Sequence, residues 1–270
     1  MGEGSKFRIR PGERVRLDRS DPDDTSAVHG SKRTALADGA KLARRLEHLQ
    51  ELLWADHRRS ILMVLMAIDA GGKDGTIRHV FEGVNPQGVR VAHFRVPTEE
   101  EGAHDFLWRI HPHTPGKGEI AIFNRSHYED VFVPRVEKLA PRRVWHRRYR
   151  MINEFERTLS LEGTTVLKFF LHISEAEQKS RLRERLKDPT KHWKFSEADL
   201  PTLKLWPQYQ AAFEEILRKT STRWAPWYLV PANEKWFRDW VVSNVLVEAL
   251  DEMALSWPPL PAAWKNVEIR

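Results

Sequence analysis

An α/β fold with a mostly parallel central sheet is the architecture this sequence predicts, on two observations. Apolar runs of strand length alternate with segments of helical spacing, an order that right-handed crossovers turn into parallel pairing. The apolar run Ile61–Ile68 also passes directly into Asp69-Ala70-Gly71-Gly72-Lys73-Asp74-Gly75, and a helix-compatible segment follows. Strand, glycine-lysine turn and helix in that order make an anion cradle, because loop amides and a helix N-terminus converge there.

Residues 1–35 are polar, rich in Gly, Asp, Ser and Arg, and lack an apolar period, so they are expected to form an extended N-terminal arm. Leu42, Leu46, Leu49 and Leu53 recur at helical spacing and predict a helix over about 38–57. After the loop at 69–75, Val89–Val96 predicts a second strand ended by Pro97. Thr98 is the natural N-cap of a helix from Glu99 to about Ile110. The breaker-rich stretch His111–Gly118 is a loop. Glu119–Phe123 then predicts a third strand that exits at Asn124-Arg125-Ser126. Tyr128–Ala140 and Tyr149–Leu161 predict helices, the second stopped by Gly163. Thr164–Ile173 predicts a fourth strand, and Ser174 caps a charged helix that runs to about Lys187. A helix over about 201–219, a strand at Trp227–Val230 and a last helix from about Lys235 follow. Pro258, Pro259 and Pro261 mark 257–270 as a tail.

With 270 residues, 41% apolar and 30% charged, the chain holds one large α/β domain with an ample core. The absence of cysteine excludes disulfides and thiolate metal sites and suits a reducing compartment. The N-terminal residues lack the apolar stretch of a signal peptide, and no apolar run approaches the roughly 18 residues of a membrane span. A cytoplasmic protein without membrane contact is expected. The net charge of +6 suggests a polyanionic partner: nucleic acid, nucleotide, anionic lipid or inorganic phosphate. No nucleic-acid motif is present, so a specific nucleic-acid partner is not expected. His104, His111 and His113 lack the spacing of a zinc site, and the eleven tryptophans are expected in packing.

Ligands of a parallel sheet sit beyond the carboxyl ends of its strands. Two such exits stand out, Asp69-to-Lys73 and Asn124-Arg125-Ser126. The first departs from the Walker A pattern G-x-x-x-x-G-K-[ST]: Ala67 replaces its first glycine, Asp74 its Ser/Thr, and Asp69 lies inside the loop. A carboxylate facing phosphates is repulsive unless a cation lies between them. The charged helix Glu175–Lys187 carries one basic stripe of Lys179, Arg183 and Lys187 and another of Arg181 and Arg185, extended by Lys191 and Lys194. A further run, Arg142, Arg143, Arg147, Arg148 and Arg150, reads either as an extension of that track or as an exposed face.

These features occur in four ordered motifs: Asp69–Gly75, Phe123-Asn-Arg-Ser-His-Tyr-Glu-Asp130, Lys168–Gln178, and the segment with Arg181, Arg185, Pro189, Lys191, Trp193 and Lys194. Ala225-Pro-Trp227 comes before the final helix. In this the chain resembles the family-2 polyphosphate kinases, P-loop enzymes distantly similar to thymidylate kinase, over about residues 35–256. The resemblance implies a three-layer α/β/α P-loop kinase fold over 36–256, with a helical lid at about 175–200. It implies transfer of the terminal phosphoryl group of inorganic polyphosphate to AMP and/or ADP, reversible in principle. Adenine or guanine nucleotides would be the other substrates, Mg2+ the cofactor with Mn2+ as an alternative, and the assembly a homo-oligomer, dimer or tetramer. Carried over by position, Asp69, Lys73, Asn124 and Arg125 would be catalytic. Gly71, Gly72, Asp74, Gly75, Arg181, Arg185, Lys191 and Lys194 would hold phosphate. Many members carry Asp where this chain has Asn124, and an amide is a weak metal ligand. Metal binding would then rest on Asp69 with Asn124, Glu129 and Asp130. The Asn-Arg-Ser-His-Tyr form resembles the subgroup that phosphorylates both nucleoside mono- and diphosphates. The alternative is a P-loop nucleotide kinase with ATP as donor, which needs fewer lid cations than a polymer does.

Overall fold

Five strands form one sheet in the order β2-β3-β1-β4-β5, and every adjacent pair is parallel. They are β1 (Ser60–Met66), β2 (Val89–His93), β3 (Ile120–Asn124), β4 (Thr164–His172) and β5 (Trp227–Pro231). The structure is a computed structural model, and it describes residues 3–195, 203–264 and 267. The predicted lid end at 196–200 and the predicted helix start at 201–202 lie outside the described residues. All residues of β1 and β3 are buried, as expected of central strands covered on both faces.

Eight helices cover the sheet among the described residues: α1 (Lys32–Asp56), α2 (Lys73–Val80), α3 (Glu99–Ala103), α4 (Glu129–Val136), α5 (Arg142–Leu161), α6 (Glu175–Lys187), α7 (Trp206–Thr220) and α8 (Lys235–Glu252). From β1 the chain steps over β3 to β2, and every later step runs the opposite way across the sheet. Right-handed crossovers therefore place α2 on one face and α4, α5 and α7 on the other. The packing agrees: α1 and α2 lie against α8, while α4, α5 and α7 lie against one another. This is the three-layer α/β/α arrangement.

Several boundaries differ from the sequence reading. α1 starts at Lys32, where Ser31 Oγ accepts from Thr34 N, rather than near residue 38. α3 ends at Ala103 instead of running on to Ile110, because the Asp105 carboxylate accepts from Leu107 N and turns the chain. Thr98 does cap it, through a complete capping box with Glu101. α5 begins at Arg142, well before the predicted Tyr149, and buries Trp145, Tyr149, Ile152 and Phe155 on one side. Before α1 the chain packs onto the domain as an arm. Ile9 N donates to Trp227 O at 2.8 Å, and Arg8 bridges Tyr228 antiparallel on the outer edge of β5. Ile9 and Leu17 are buried, and Asn233 Nδ2 donates to Asp23 Oδ2 at 2.9 Å.

Candidate active site

Asp69, Lys73, Asn124 and Arg125 meet at the carboxyl edge of β1 and β3, where the crossover direction reverses. They line a cleft of about 370 Å³ together with Gly71, Gly72, Asp74, Gly75, Arg181, Arg185, Lys191 and Lys194. Glu129 and Asp130 do not line it.

The loop depends on left-handed backbone. Ala70 has φ +61° and Gly72 φ +104°, and a side chain at Gly72 would strike the Arg238 guanidinium. A Cβ at Gly71 would collide with Ala67. Gly72 thereby caps α2, and Lys73, the first helical residue, folds back to donate to Ala67 O at 3.1 Å. Desolvation lowers the Lys73 pKa, with Asp69 and Glu129 pulling it the other way.

Arg125 is also left-handed, at φ +63°, a conformation that costs a non-glycine residue energy and recurs at functional sites. Its Nη2 lies 3.3 Å from Asp69 Oδ1 and its Nη1 4.0 Å from Glu129 Oε2. Asn124 Nδ2 donates to Asp74 Oδ1 at 2.7 Å, while Asn124 Oδ1 is buried without a partner. Lys194 Nζ stands 3.5 Å from Asp74 Oδ2 and ties the lid segment to the loop. Desolvation pushes the Asp74 carboxyl up, but Asn124 and Lys194 outweigh it and hold it below its ordinary value.

Glu129, with its side chain 19% exposed, is a second counterion to Arg125. Burial pushes its pKa up to about 7, against the pull of Arg125 and Lys73. A carboxyl whose folded pKa exceeds its unfolded value takes up a proton on folding. Its cost to stability is therefore absent below about 4.5 and complete above about 7. Between these limits the metal-free protein is expected to lose up to ~3 kcal/mol of stability relative to Glu129→Gln as pH rises. Denaturant titrations of both proteins across that window check it, and a difference independent of pH would refute it.

Asp130 is committed elsewhere. Its Oδ2 accepts from Arg109 Nη2 at 3.1 Å, and Arg148 Nη1 lies 3.9 Å from its Oδ1. Arg181 lines the cleft, but its guanidinium is spent on structure: Nη1 donates to Ala70 O at 3.1 Å and Nη2 to Ala232 O at 2.7 Å and Asn233 O at 3.1 Å. Nε pairs with Glu177 Oε1 at 2.6 Å, and only 8% of the residue is exposed. Gln178 Nε2 donates to Asp69 O at 3.1 Å, so the first turns of α6 underpin the loop at 69–75. Arg181→Met should therefore destabilise the ligand-free protein by ~2–4 kcal/mol, because it leaves buried carbonyls unpaired. Thermal unfolding without substrate measures this, and an unchanged midpoint would return Arg181 to a purely ligand-holding role.

Much of the expected basic stripe is neutralised within the lid. Lys179 pairs with Glu175 at 2.5 Å, and Lys191 with Glu184 at 2.6 Å and Asp188 at 3.0 Å. Arg185 donates to Lys194 O at 3.1 Å. His93, Glu184 and Lys235 also line the cleft and were not foreseen as site residues. His93 ends β2 and Lys235 opens α8, so position at a strand exit or a helix start was the available signal.

No group of three or more His, Cys, Asp or Glu able to hold a metal occurs among the described residues. Among the oxygen donors lining the cleft, Asp69 and the unpartnered Asn124 Oδ1 nevertheless suit a hard divalent cation. Such an ion is commonly held by one or two protein oxygens, with substrate phosphates and water completing its shell.

A family model described as Polyphosphate kinase 2 (PPK2) matches residues 29–257. The chain belongs to the polyphosphate kinase 2 family. Its similarity to an AMP/ADP-polyphosphate phosphotransferase of Meiothermus ruber is 58% identity, covering 98% of this chain and 99% of the relative. An ADP-polyphosphate phosphotransferase of Rhodopseudomonas palustris is 40% identical, covering 94% of this chain and 91% of the relative. The crystal structure of polyphosphate kinase 2 from Arthrobacter aurescens TC1 superposes with a TM-score of 0.92 at 40% identity, covering 100% of this chain and 94% of that one. The polyphosphate kinase 2 fold thus extends over the segment before α1 as well as the sheet.

Proposed function

We propose that the chain moves the terminal phosphoryl group of inorganic polyphosphate to AMP and/or ADP, giving ADP or ATP. The observation that carries this reading is one cleft in which Lys73 and the loop amides stand with Arg125, Arg185, Lys191, Lys194 and Lys235. That concentration of positive charge suits two polyanions held end to end. The family membership and the relatives' names support the donor and the acceptors.

A terminal phosphate oxygen of the nucleotide bonds to the end phosphorus of the polymer. The bond from that phosphorus to the bridging oxygen breaks, and the shortened polymer leaves with the oxygen and the electron pair. Phosphate has a second pKa of about 6, so the nucleophile is already ionised at neutral pH and no strong base is required. Catalysis then rests on alignment and on neutralising charge as it shifts. Lys73 and the loop amides neutralise the transferring group, and Arg125 bridges donor and acceptor oxygens. Arg185, Lys191 and Lys194 close over the polymer, while Arg181 keeps the loop in shape. Mg2+, or Mn2+ in its place, would be held by Asp69 and Asn124 Oδ1 and would supply further charge neutralisation to the phosphate oxygens. Glu129 serves this site through Arg125.

Incubating the pure protein with Mg2+, polyphosphate and AMP or ADP, with chromatographic separation of products, tests the reading. Formation of ADP or ATP is expected. If no ATP appears with polyphosphate while ATP and AMP yield ADP, the donor is a nucleotide and the reading fails. A cytoplasmic setting and a homo-oligomer, dimer or tetramer, belong to the same proposal; light scattering of the pure protein reads the latter.

A further inference from the structure

The arginine run of α5 takes no part in the transfer described above. Arg142, Arg143, Arg147 and Arg150 are exposed, and none has an ionic partner among the described residues. The lid contrasts with this, since Lys179, Arg181 and Lys191 are each paired with a carboxylate. Like charges gathered on one helix face repel one another and gain nothing for the fold.

Their placement is informative. α5 ends just before β4 begins, so it runs antiparallel to the strands, with its N-terminus toward the carboxyl edge of the sheet. Arg148 Nη1 donates to Asp130 O, at the start of α4 and directly after the β3 exit. The residues before Arg148 rise past that level by roughly 9 Å, at 1.5 Å per residue. The arginines around the β3 exit are paired with carboxylates, so the exposed face of α5 lies beyond a set of ion pairs next to the cleft. Arg125 pairs with Glu129, the neighbouring Asp130 is shared by Arg109 and Arg148, and Arg109 also holds Arg95 O at 2.7 Å. Arg147, Arg150 and Lys219 border a groove of about 610 Å³ on the same helix.

Resting on the proposed function, we infer that this face of α5 holds the distal part of a polyphosphate chain whose reacting end lies in the cleft. A flexible polyanion needs a row of exposed guanidinium groups and little else. Single-stranded nucleic acid would also call for exposed aromatic platforms, whereas Trp145 is buried and Tyr149, which lines the groove, is only 4% exposed.

The test is the triple variant Arg143→Gln, Arg147→Gln, Arg150→Gln, assayed with long-chain polyphosphate and with tetrapolyphosphate. The KM for the long chain is expected to rise ~10-fold, and its log–log dependence on salt to flatten by about 1 for each cation removed. Parameters for tetrapolyphosphate are expected to hold, and the matching Arg→Lys triple variant should stay close to wild type. Equal changes for both polymers, or no change for either, would overturn the inference. So would an unchanged long-chain KM accompanied by weakened binding of an RNA homopolymer. Binding of long-chain polyphosphate measured without turnover separates this from failure of the reaction itself. If the wild type transfers from neither polymer, the proposed function falls, and loss of binding in the variant still decides the face.

Discussion

Lys73→Ala and Asp69→Asn are each expected to lower turnover by about 10²–10³-fold while leaving the protein folded, the usual loss for one preorganised charged group. Lys73 is held by its fold-back onto Ala67 O and stands at the end of the left-handed loop, at the start of α2. No neighbouring lysine occupies its position at the start of α2. Asp69 is a carboxylate of the cleft in contact with Arg125, and it stands on the loop whose backbone Arg181 and Gln178 brace. Its conversion to an amide removes charge without changing shape. Phosphoryl transfer assayed with saturating polyphosphate, alongside circular dichroism to verify folding, checks both variants. Activity near wild type in either would remove that residue from the chemistry.

Lys168→Met should destabilise the protein by ~3–5 kcal/mol, as expected when a buried ion pair loses one member. Lys168 is wholly buried in β4, and its Nζ donates to Glu156 Oε2 at 2.6 Å, Thr220 O at 2.7 Å and Tyr128 OH at 2.9 Å. All three ammonium donors are used. Glu156 Oε1 accepts in turn from Tyr128 OH at 2.7 Å and lies 3.3 Å from His127 Nε2. Burial pushes the Glu156 carboxyl up, but Lys168 and His127 together outweigh it and hold the group below its ordinary value. Without Lys168 that carboxylate must take a proton or drag water into the core. For a chain of this size the melting temperature falls on the order of 10 °C. Replacing Glu156 by Leu in the same protein should recover much of the loss, because a paired charge exchanged for packed apolar groups is often neutral. A fall of less than 1 °C in Lys168→Met would refute the account. His127 and Tyr128 follow Arg125 after the single residue Ser126, so the network also anchors the strained exit on which Arg125 stands.

The sheet and the glycine-lysine loop at 69–75 were legible in the sequence because their signals are dense. β1 is apolar throughout, and it ends at glycines that the backbone requires. The first half of α5 was hidden because Trp145 and Tyr149 are diluted among arginines, which mask the apolar period. Arg181 could be placed on a basic stripe, but its acceptors are the carbonyls of Ala70, Ala232 and Asn233, and carbonyls leave no mark on side-chain patterns. Asp130 was grouped with Asp69 by nearness to the motif, whereas Arg109 and Arg148, remote in sequence, decide its orientation.

The short bridge of Arg8 to Tyr228 occupies one end of the sheet, while the other, at β2, has no further strand among the described residues. A sheet with one end stoppered can add a strand from another chain only through β2. Two copies joined there would consume both open ends at once, so growth would stop at a closed pair. Arg8 and Ile9 thus deny to another chain one of the two edges that unlimited strand addition would need.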